Sequence, residues 1–289
     1  MVVAPECDPV GVPDRCVLFV HAHPDDETLS TGGAIARYAA DPSVRCVVVT
    51  CTLGEEGEVI PPALRELAPD RADQLGGYRI GELASALAAL GGPEHRFLGG
   101  VARWRDSGMG HGEGTRAVAL ETVHPRALTA PGGFPHQVAQ LRAIVDEVQP
   151  QVLVSYADDG GYGHPDHVRA HELTRAVADG RRVFHAVRSR SALEAGLAAI
   201  RDLPGLPFRF PEQDELPSVP DAVVTTRLDV SAHRAALFAA MRAHATQIAV
   251  HEPAFAMSND VAQPFLPVEE YVLASPGDAP TDDLFGGPA

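Results

Sequence analysis

The feature that most constrains this chain is a tetrapeptide that recurs, each time where an apolar run gives way to a helical pattern. The first run, 17–20, ends at His21-Ala22-His23-Pro24 and continues through Asp25-Asp26 into residues 28–40, Ala-rich with apolar positions at helical spacing. The second run, 152–155, is followed by His164-Pro165-Asp166-His167 and by a helical pattern over 165–178. Between them lie an apolar strand-like run at 44–51 and a helix pattern at 72–90. That pattern carries Leu75, Tyr78, Leu83, Leu87 and Leu90 and stops at Gly91-Gly92-Pro93. A short third strand at Phe97-Leu98 and a helix over 138–148 complete the series. Strands alternating with helices predict an α/β fold of Rossmann-like type: a mostly parallel sheet with helices on both faces, followed by a less regular C-terminal part.

Ligands of an open parallel sheet bind at the carboxyl ends of its strands, where both tetrapeptides fall. Two windows, 21–23 and 164–171, also hold five of the 13 histidines: His21, His23, His164, His167 and His171. If the two strand ends are adjacent, His23, Asp26 and His167 offer two imidazoles and a carboxylate. That is a donor set zinc accepts in catalytic sites and iron(II) also suits, with a position left for water. Asp25, beside Asp26 but turned elsewhere, is placed to take a proton from that water. An Asp pair at a helix start also serves as N-cap and dipole partner, so an isolated HPDD would carry little weight. Its pairing with HPDH is what points to metal.

The remaining chemistry narrows by exclusion. All 23 basic residues are arginine, so a Schiff-base enzyme, a P-loop lysine and a lysine general base are ruled out. Against 39 acidic residues the net charge is −16, which disfavours nucleic-acid partners. No G-x-G-x-x-G follows the first strand, so a dinucleotide site is not expected. Cys7, Cys16, Cys46 and Cys51 form no C-x-x-C pair. With no basic-then-apolar leader in 1–15 and no apolar run of about 18 residues, they read as reduced thiols of a cytoplasmic protein without membrane association. Residues 99–135 are glycine- and charge-rich with weak periodicity, as a functional excursion would be.

Beyond residue 180, strands are expected at 183–187 and 223–230, and a helix capped by Ser231 at 231–244. The prolines of 203–220 mark a loop. The expected organisation is a metal-binding core over 1–180, a part at 181–274 that completes the same domain and its site, and a disordered tail from 275 to 289.

Four segments sharpen this reading: His21-Ala22-His23-Pro24-Asp25-Asp26-Glu27, Thr50-Cys51-Thr52-Leu53-Gly54-Glu55-Glu56-Gly57-Glu58, Gln74-Leu75-Gly76-Gly77-Tyr78-Arg79-Ile80-Gly81-Glu82-Leu83, and Gly160-Gly161-Tyr162-Gly163-His164-Pro165-Asp166-His167. Together they resemble the zinc-dependent N-acetylglucosaminyl-phosphatidylinositol deacetylases, also called the LmbE-like family. The resemblance runs from about 17 to 177 and resumes at His244-Ala245-Thr246-Gln247 and at Glu270-Tyr271-Val272-Leu273-Ala274. It implies amide hydrolysis at one zinc per chain, held by His23, Asp26 and His167, with Asp25 as general base and His164 and Tyr162 across the metal from it. It also implies that Arg79 and Asp106 bind hydroxyls of an N-acetylated amino-sugar inositol, the small-molecule substrate of the mycothiol-biosynthesis branch. Ser30 and Gly163 stand where the branch that cleaves mycothiol S-conjugates carries lysine and proline, which favours the former branch. Read from the residues alone, Arg79 equally fits a helix face with Glu82 at i+3, and Asp106 a turn. A non-catalytic sugar- or metal-binding module is the rival of another class, and Asp25, which such a module does not need, separates the two.

Overall fold

The computed structural model describes residues 13–112 and 114–286. Its strands are β1 (Arg15–His21), β2 (Val44–Thr50), β3 (Glu94–Phe97), β4 (Gly110–His111), β5 (Ala117–Val118), β6 (Val152–Ser155), β7 (Arg182–Val187), β8 (Thr226–Asp229), β9 (Ala249–His251), β10 (Ala254–Ala256), β11 (Gln263–Pro264) and β12 (Val268–Leu273). The α-helices are α1 (Asp26–Ala39), α2 (Leu75–Ala89), α3 (Phe134–Val148), α4 (Pro165–Ala176), α5 (Arg190–Ile200) and α6 (Arg234–Ala243). The main sheet runs β3-β2-β1-β6-β7-β12-β8. Its first five strands are mutually parallel, and β12 pairs antiparallel with both β7 and β8.

The unbroken apolar character of β1 has a direct cause. Val17 and Phe19 point into a core shared with Ile35 of α1, Leu83 and Leu87 of α2 and Leu237 of α6. Leu18 and Val20 point the other way, against Leu141 and Val145 of α3 and Leu173 of α4. A strand covered on both faces has no polar alternation to show. The order also fixes where a ligand goes. From β1 the chain winds outward through β2 to β3, then returns through α3 to place β6 on the other side of β1. The crevice at the carboxyl ends of β1 and β6 is the switch point of the sheet, and both tetrapeptides open into it.

Several details differ from expectation. Ser231 does not cap a helix by its side chain. A 3-10 turn over Ser231–His233 precedes α6, and Asp229 Oδ1 accepts the Ser231 N–H at 2.9 Å. The strand expected at 223–230 shortens to β8 because Asp221–Val223 is itself a 3-10 turn. Helix α5, whose Ser189 cap accepts the Ala192 N–H, and the small sheet β11-β10-β9 were not read from the sequence. The stretch from Ser275, expected to be disordered, lies against the fold as far as Gly286. Thr281 O accepts the Arg227 N–H at 2.8 Å, the Leu284 N–H donates to Tyr38 Oη at 2.9 Å, and Leu284 is fully buried. Residues 287–289 and Cys7 lie outside the described residues, while Cys16, Cys46 and Cys51 are buried free thiols. Among the described residues no helix is long and apolar enough to cross a membrane.

Helix α1 is locked to the far side of the sheet through Glu269 on β12. Its carboxylate accepts the N–H groups of Gly33 at 2.6 Å and Ala34 at 2.9 Å, and the Tyr271 hydroxyl at 2.7 Å. Gly33 permits this approach, since a Cβ there would lie 2.5 Å from the Val230 side chain and 2.8 Å from Glu269 Oε1. The Gly33→Ala variant is therefore expected to lose about 1–3 kcal/mol of stability by overpacking, although alanine is the better helix former. A thermal melt reads this directly, and an unchanged or raised melting temperature would show that α1 can shift away.

Candidate metal and active site

The site begins with the turn from β1 to α1. The His23 N–H donates to Asp26 Oδ2 at 2.8 Å, and the Asp25 N–H donates to Glu27 Oε2 at 2.9 Å. Between these bonds Asp25 is held at φ 107°, a backbone state that L-residues rarely adopt and that costs on the order of 1–3 kcal/mol. Its carbonyl accepts the Thr28 and Leu29 N–H groups and so starts the helix, but its carboxylate makes no capping bond. That carboxylate lies instead 3.1 Å from Arg79 Nη2. Burial raises the Asp25 pKa to about 6, against the pull of Arg79.

The two histidines are oriented from behind. On His167, Nδ1 donates to the Gly160 carbonyl at 3.1 Å, and since a carbonyl can only accept, the proton sits on Nδ1. The lone pair of Nε2 is buried without a hydrogen-bond partner, 3.2 Å from Asp26 Oδ1. His23 turns Nε2 toward Asp166 Oδ2 at 3.2 Å and Asp106 Oδ1 at 3.4 Å, and Nδ1 toward Asp26 Oδ2 at 3.3 Å. The two oxygens of Asp26 thus face one nitrogen of each imidazole. Burial disfavours the Asp26 carboxylate, and positive charge on the His167 and His23 side would outweigh it and hold its pKa well below the usual range; with His167 Nε2 a bare lone pair, that charge has to come from a cation. An orphaned lone pair against an ionised carboxylate is a costly arrangement unless a cation lies between them, so His23, Asp26 and His167 fit a divalent metal. Carboxylates behind the far nitrogen of His23 are the usual support for such a ligand.

His164 completes the cluster: ligand atoms of His23, His164 and His167 lie within 4.8 Å of one another. Asp106 and Asp166 form a second close group around the same His23. Nδ1 of His164 accepts the Asp166 N–H at 3.2 Å as the N-cap of α4. Burial, with His23 and His167 nearby, lowers the His164 pKa to about 2, so the ring is neutral and its proton is on Nε2.

A cavity of about 550 Å³ opens over this cluster, and Ser30, Arg79, Asp106, Tyr162 and Gln247 all line it. Arg79 is buried and committed: it donates to the carbonyls of Gly54 and Pro24 as well as pairing with Asp25. Asp106, in the long excursion, accepts the Gly108 and Glu56 N–H groups and backs His23. Glu55 is buried and accepts the Asp106 N–H at 2.9 Å. Trp104 packs the excursion down, with Nε1 on Gln140 Oε1 at 2.8 Å.

Sequence reasoning assigns no role to Glu27 or Tyr156 and reads His244 as a capping or core group. Glu27 and His244 are fully buried and meet at 2.7 Å beneath Asp25, and Tyr156 stacks on His167 at 4.1 Å between centroids. Glu27 was legible only as the residue that follows the first tetrapeptide. His244, 217 positions away, carried no signal that it would meet it.

Comparisons with known proteins bear on this arrangement. The family model described as GlcNAc-PI de-N-acetylase (PIG-L) matches residues 18–178. A 1D-myo-inositol 2-acetamido-2-deoxy-alpha-D-glucopyranoside deacetylase from Actinosynnema mirum is 57% identical, covering 94% of this chain and 96% of its own. A relative of the same name from Saccharomonospora viridis is 54% identical over 94% of this chain and all of its own. Among solved structures, a deacetylase of teicoplanin biosynthesis shares the fold with a TM-score of 0.53 at 19% identity, covering 89% of this chain and 98% of that one. A 4-carboxy-2-hydroxymuconate hydratase from Pseudomonas putida shares it at 0.56 and 17%, covering 93% and 99%. With its tetrapeptides meeting at the sheet's switch point and the family model spanning more than half its length, the chain belongs to the GlcNAc-PI de-N-acetylase (PIG-L), or LmbE-like, family.

Proposed function

We propose that the protein is a zinc-dependent N-deacetylase that hydrolyses the acetamide of 1D-myo-inositol 2-acetamido-2-deoxy-alpha-D-glucopyranoside in mycothiol biosynthesis, acting in the cytoplasm on this small molecule. The observation that carries the reading is Asp25. Its carboxylate is released from helix capping, held at a strained backbone angle and buried beside the metal-ligand set, which a binding module has no use for. Relatives of that name, similar over nearly the whole chain, supply the substrate. Gly163 sits at φ 94°, an angle closed to proline, so the loop before His164 differs from one with proline there.

His23, Asp26 and His167 would hold one zinc ion per chain, which would supply Lewis acidity at the reacting amide. Asp25, as a base with its pKa near 6, takes the proton of the attacking water as oxygen bonds to the carbonyl carbon. The negative charge that develops on the former carbonyl oxygen is met by the Tyr162 hydroxyl and by the neutral Nε2–H of His164. The C–N bond then breaks, Asp25 returns its proton to the leaving nitrogen, and acetate and the free amine result. His164, which burial holds neutral, serves here as a hydrogen-bond donor. Arg79 holds Asp25 in line. Ser30 and Asp106, with Arg79 Nε, which lacks a protein partner, are the groups assigned to sugar and inositol hydroxyls. Residues 181–274 complete this domain, since β7, β12 and β8 extend its sheet and His244 braces Glu27.

The test separates ligands from base. His23→Ala and His167→Ala are expected to lose zinc, whereas Asp25→Ala keeps zinc and loses about 10²–10⁴ in kcat. Metal analysis beside an acetate-release assay reads both, and an Asp25→Ala protein without metal would overturn the division of roles. A site of buried polar groups also discriminates against ligands that leave them unpaired. The inositol conjugate is expected to exceed plain N-acetylglucosamine by at least ~10² in kcat/KM, about 2.7 kcal/mol. Equal rates on the two, or a preference for bulky S-conjugates, would move the chain to another branch. Because Arg79 braces the base, Arg79→Ala is expected to lower kcat more than it raises KM.

A further inference from the structure

One side chain touches both halves of the ligand set. Tyr156, the first residue after β6, is almost fully buried in the wall of the cavity. Its ring stacks on His167 with centroids 4.1 Å apart and planes 17° from parallel, and His21 meets it at 80° with centroids 5.6 Å apart. At the other end of the side chain, the hydroxyl accepts the Ala22 N–H at 2.9 Å, one residue before His23. The main chain around it is tied as well. Ser155 Oγ donates to the Val20 carbonyl at 3.0 Å, and His171 Nδ1 donates to the Tyr156 carbonyl at 3.0 Å. The ring is therefore fixed between the end of β6 and the end of β1.

Filling space does not account for the hydroxyl, since a phenylalanine ring would stack on His167 equally well. A phenol oxygen carries one proton besides its lone pairs. The Ala22 N–H takes a lone pair, so the proton needs an acceptor of its own, and buried donors rarely go without one. The Asp26 carboxylate bears on this hydroxyl both as a charge and as a hydrogen-bond acceptor. Asp26 is already held from one side by the His23 N–H at 2.8 Å, and its two oxygens face one nitrogen each of His23 and His167. A carboxylate has about four lone-pair directions, enough for both of these donors and for a metal.

We infer that Tyr156 is a positioning residue for the metal: its hydroxyl proton fixes the Asp26 carboxylate and its ring fixes the plane of His167, so one side chain sets the angle between two ligands that come from different strand ends. Ligands held in this way need no ordering when the ion enters. A carboxylate that shares its charge with an O–H also gives less of it to the ion, which leaves the ion the stronger Lewis acid. The inference rests on the proposed metal site at His23, Asp26 and His167, and not on which amide is cleaved there.

The experiment strips the full chain of metal and reloads it with zinc or cobalt(II). By competition with a chelator, Tyr156→Phe is expected to bind zinc about tenfold more weakly than the wild type, and its cobalt form to show a shifted visible absorption band. A role confined to packing and to the Ala22 N–H would lower the melting temperature of the metal-free chain while leaving zinc affinity and the cobalt band unchanged, and that result would overturn the inference. A second variant covers the case in which Tyr156→Phe does not fold. 3-Fluorotyrosine at position 156 keeps the acceptor for Ala22 and makes the hydroxyl a stronger donor, so the cobalt band is expected to move in the sense opposite to that of the phenylalanine variant, or simply to move if that variant is lost. A band that stays in place would overturn the inference on its own. Acetate release by the zinc-loaded wild type is measured on the same preparation. A chain that binds metal but releases no acetate fails the deacetylase reading, while the cobalt spectra still decide the role of Tyr156.

Discussion

The arrangement rests on one strained residue and the carboxylates that hold it. Asp25 stays at φ 107° only because Glu27 accepts its N–H while Asp26 reaches back to the N–H of His23. Charge-assisted bonds of this kind are individually worth more than neutral ones and together offset a strain of a few kcal/mol. The strain has a geometric result: Asp25 and Asp26, adjacent in sequence, present their carboxylates to different partners, one to Arg79 and one to the two imidazoles. A regular helix start would have left Asp25 as a cap.

Around that turn the protein concentrates buried negative charge. Asp25, Asp26, Glu27, Asp106 and Asp166 are all nearly inaccessible, and the protein cations among them are few: Arg79, and histidines that can be protonated. His244 pairs with Glu27, and the carboxyl of Glu27 is accordingly lowered to about 2 despite its burial. A cation held among them would offset that charge, and the carboxylates and backbone groups that support the set stand beside the Tyr156 ring stacked on His167.

The sequence spoke clearly wherever one physical signal dominated. β1 and β2 are apolar on both faces, so their runs needed no partner to be recognised, and the tetrapeptides announced the strand ends that they close. The signals failed where structure depends on distant partners. α5 is short and mostly surface-facing, β9 to β11 are two or three residues each, and the 3-10 turn that leads into α6 is held at its start by Asp229 in place of a Ser231 cap. Acidic residues in the stretch from Ser275 suggested disorder, yet Leu284 and Phe285 find an apolar seat by Tyr38. Arg79 stood out only through the family resemblance, since its position equally fits a helix face with Glu82, and its commitment to Asp25 and two backbone carbonyls was not legible because those partners come from other turns of the chain.

The insertion of β12 between β7 and β8 sets the order in which the molecule can become whole during synthesis. β8 pairs in the main sheet only with β12, which is made about forty residues later, so β8 and the open edge of β7 must wait for it. The parallel half, from β1 to β6, can collapse on α1 to α3 while the ribosome is still working. His244 and Glu269, which steady Glu27 and α1, arrive late. Pairings across such long separations are slow to close. A nascent chain thus carries His23, Asp26 and His167 early and their bracing last, and the strained turn at Asp25 is secured only when the final strand of the sheet slides into place.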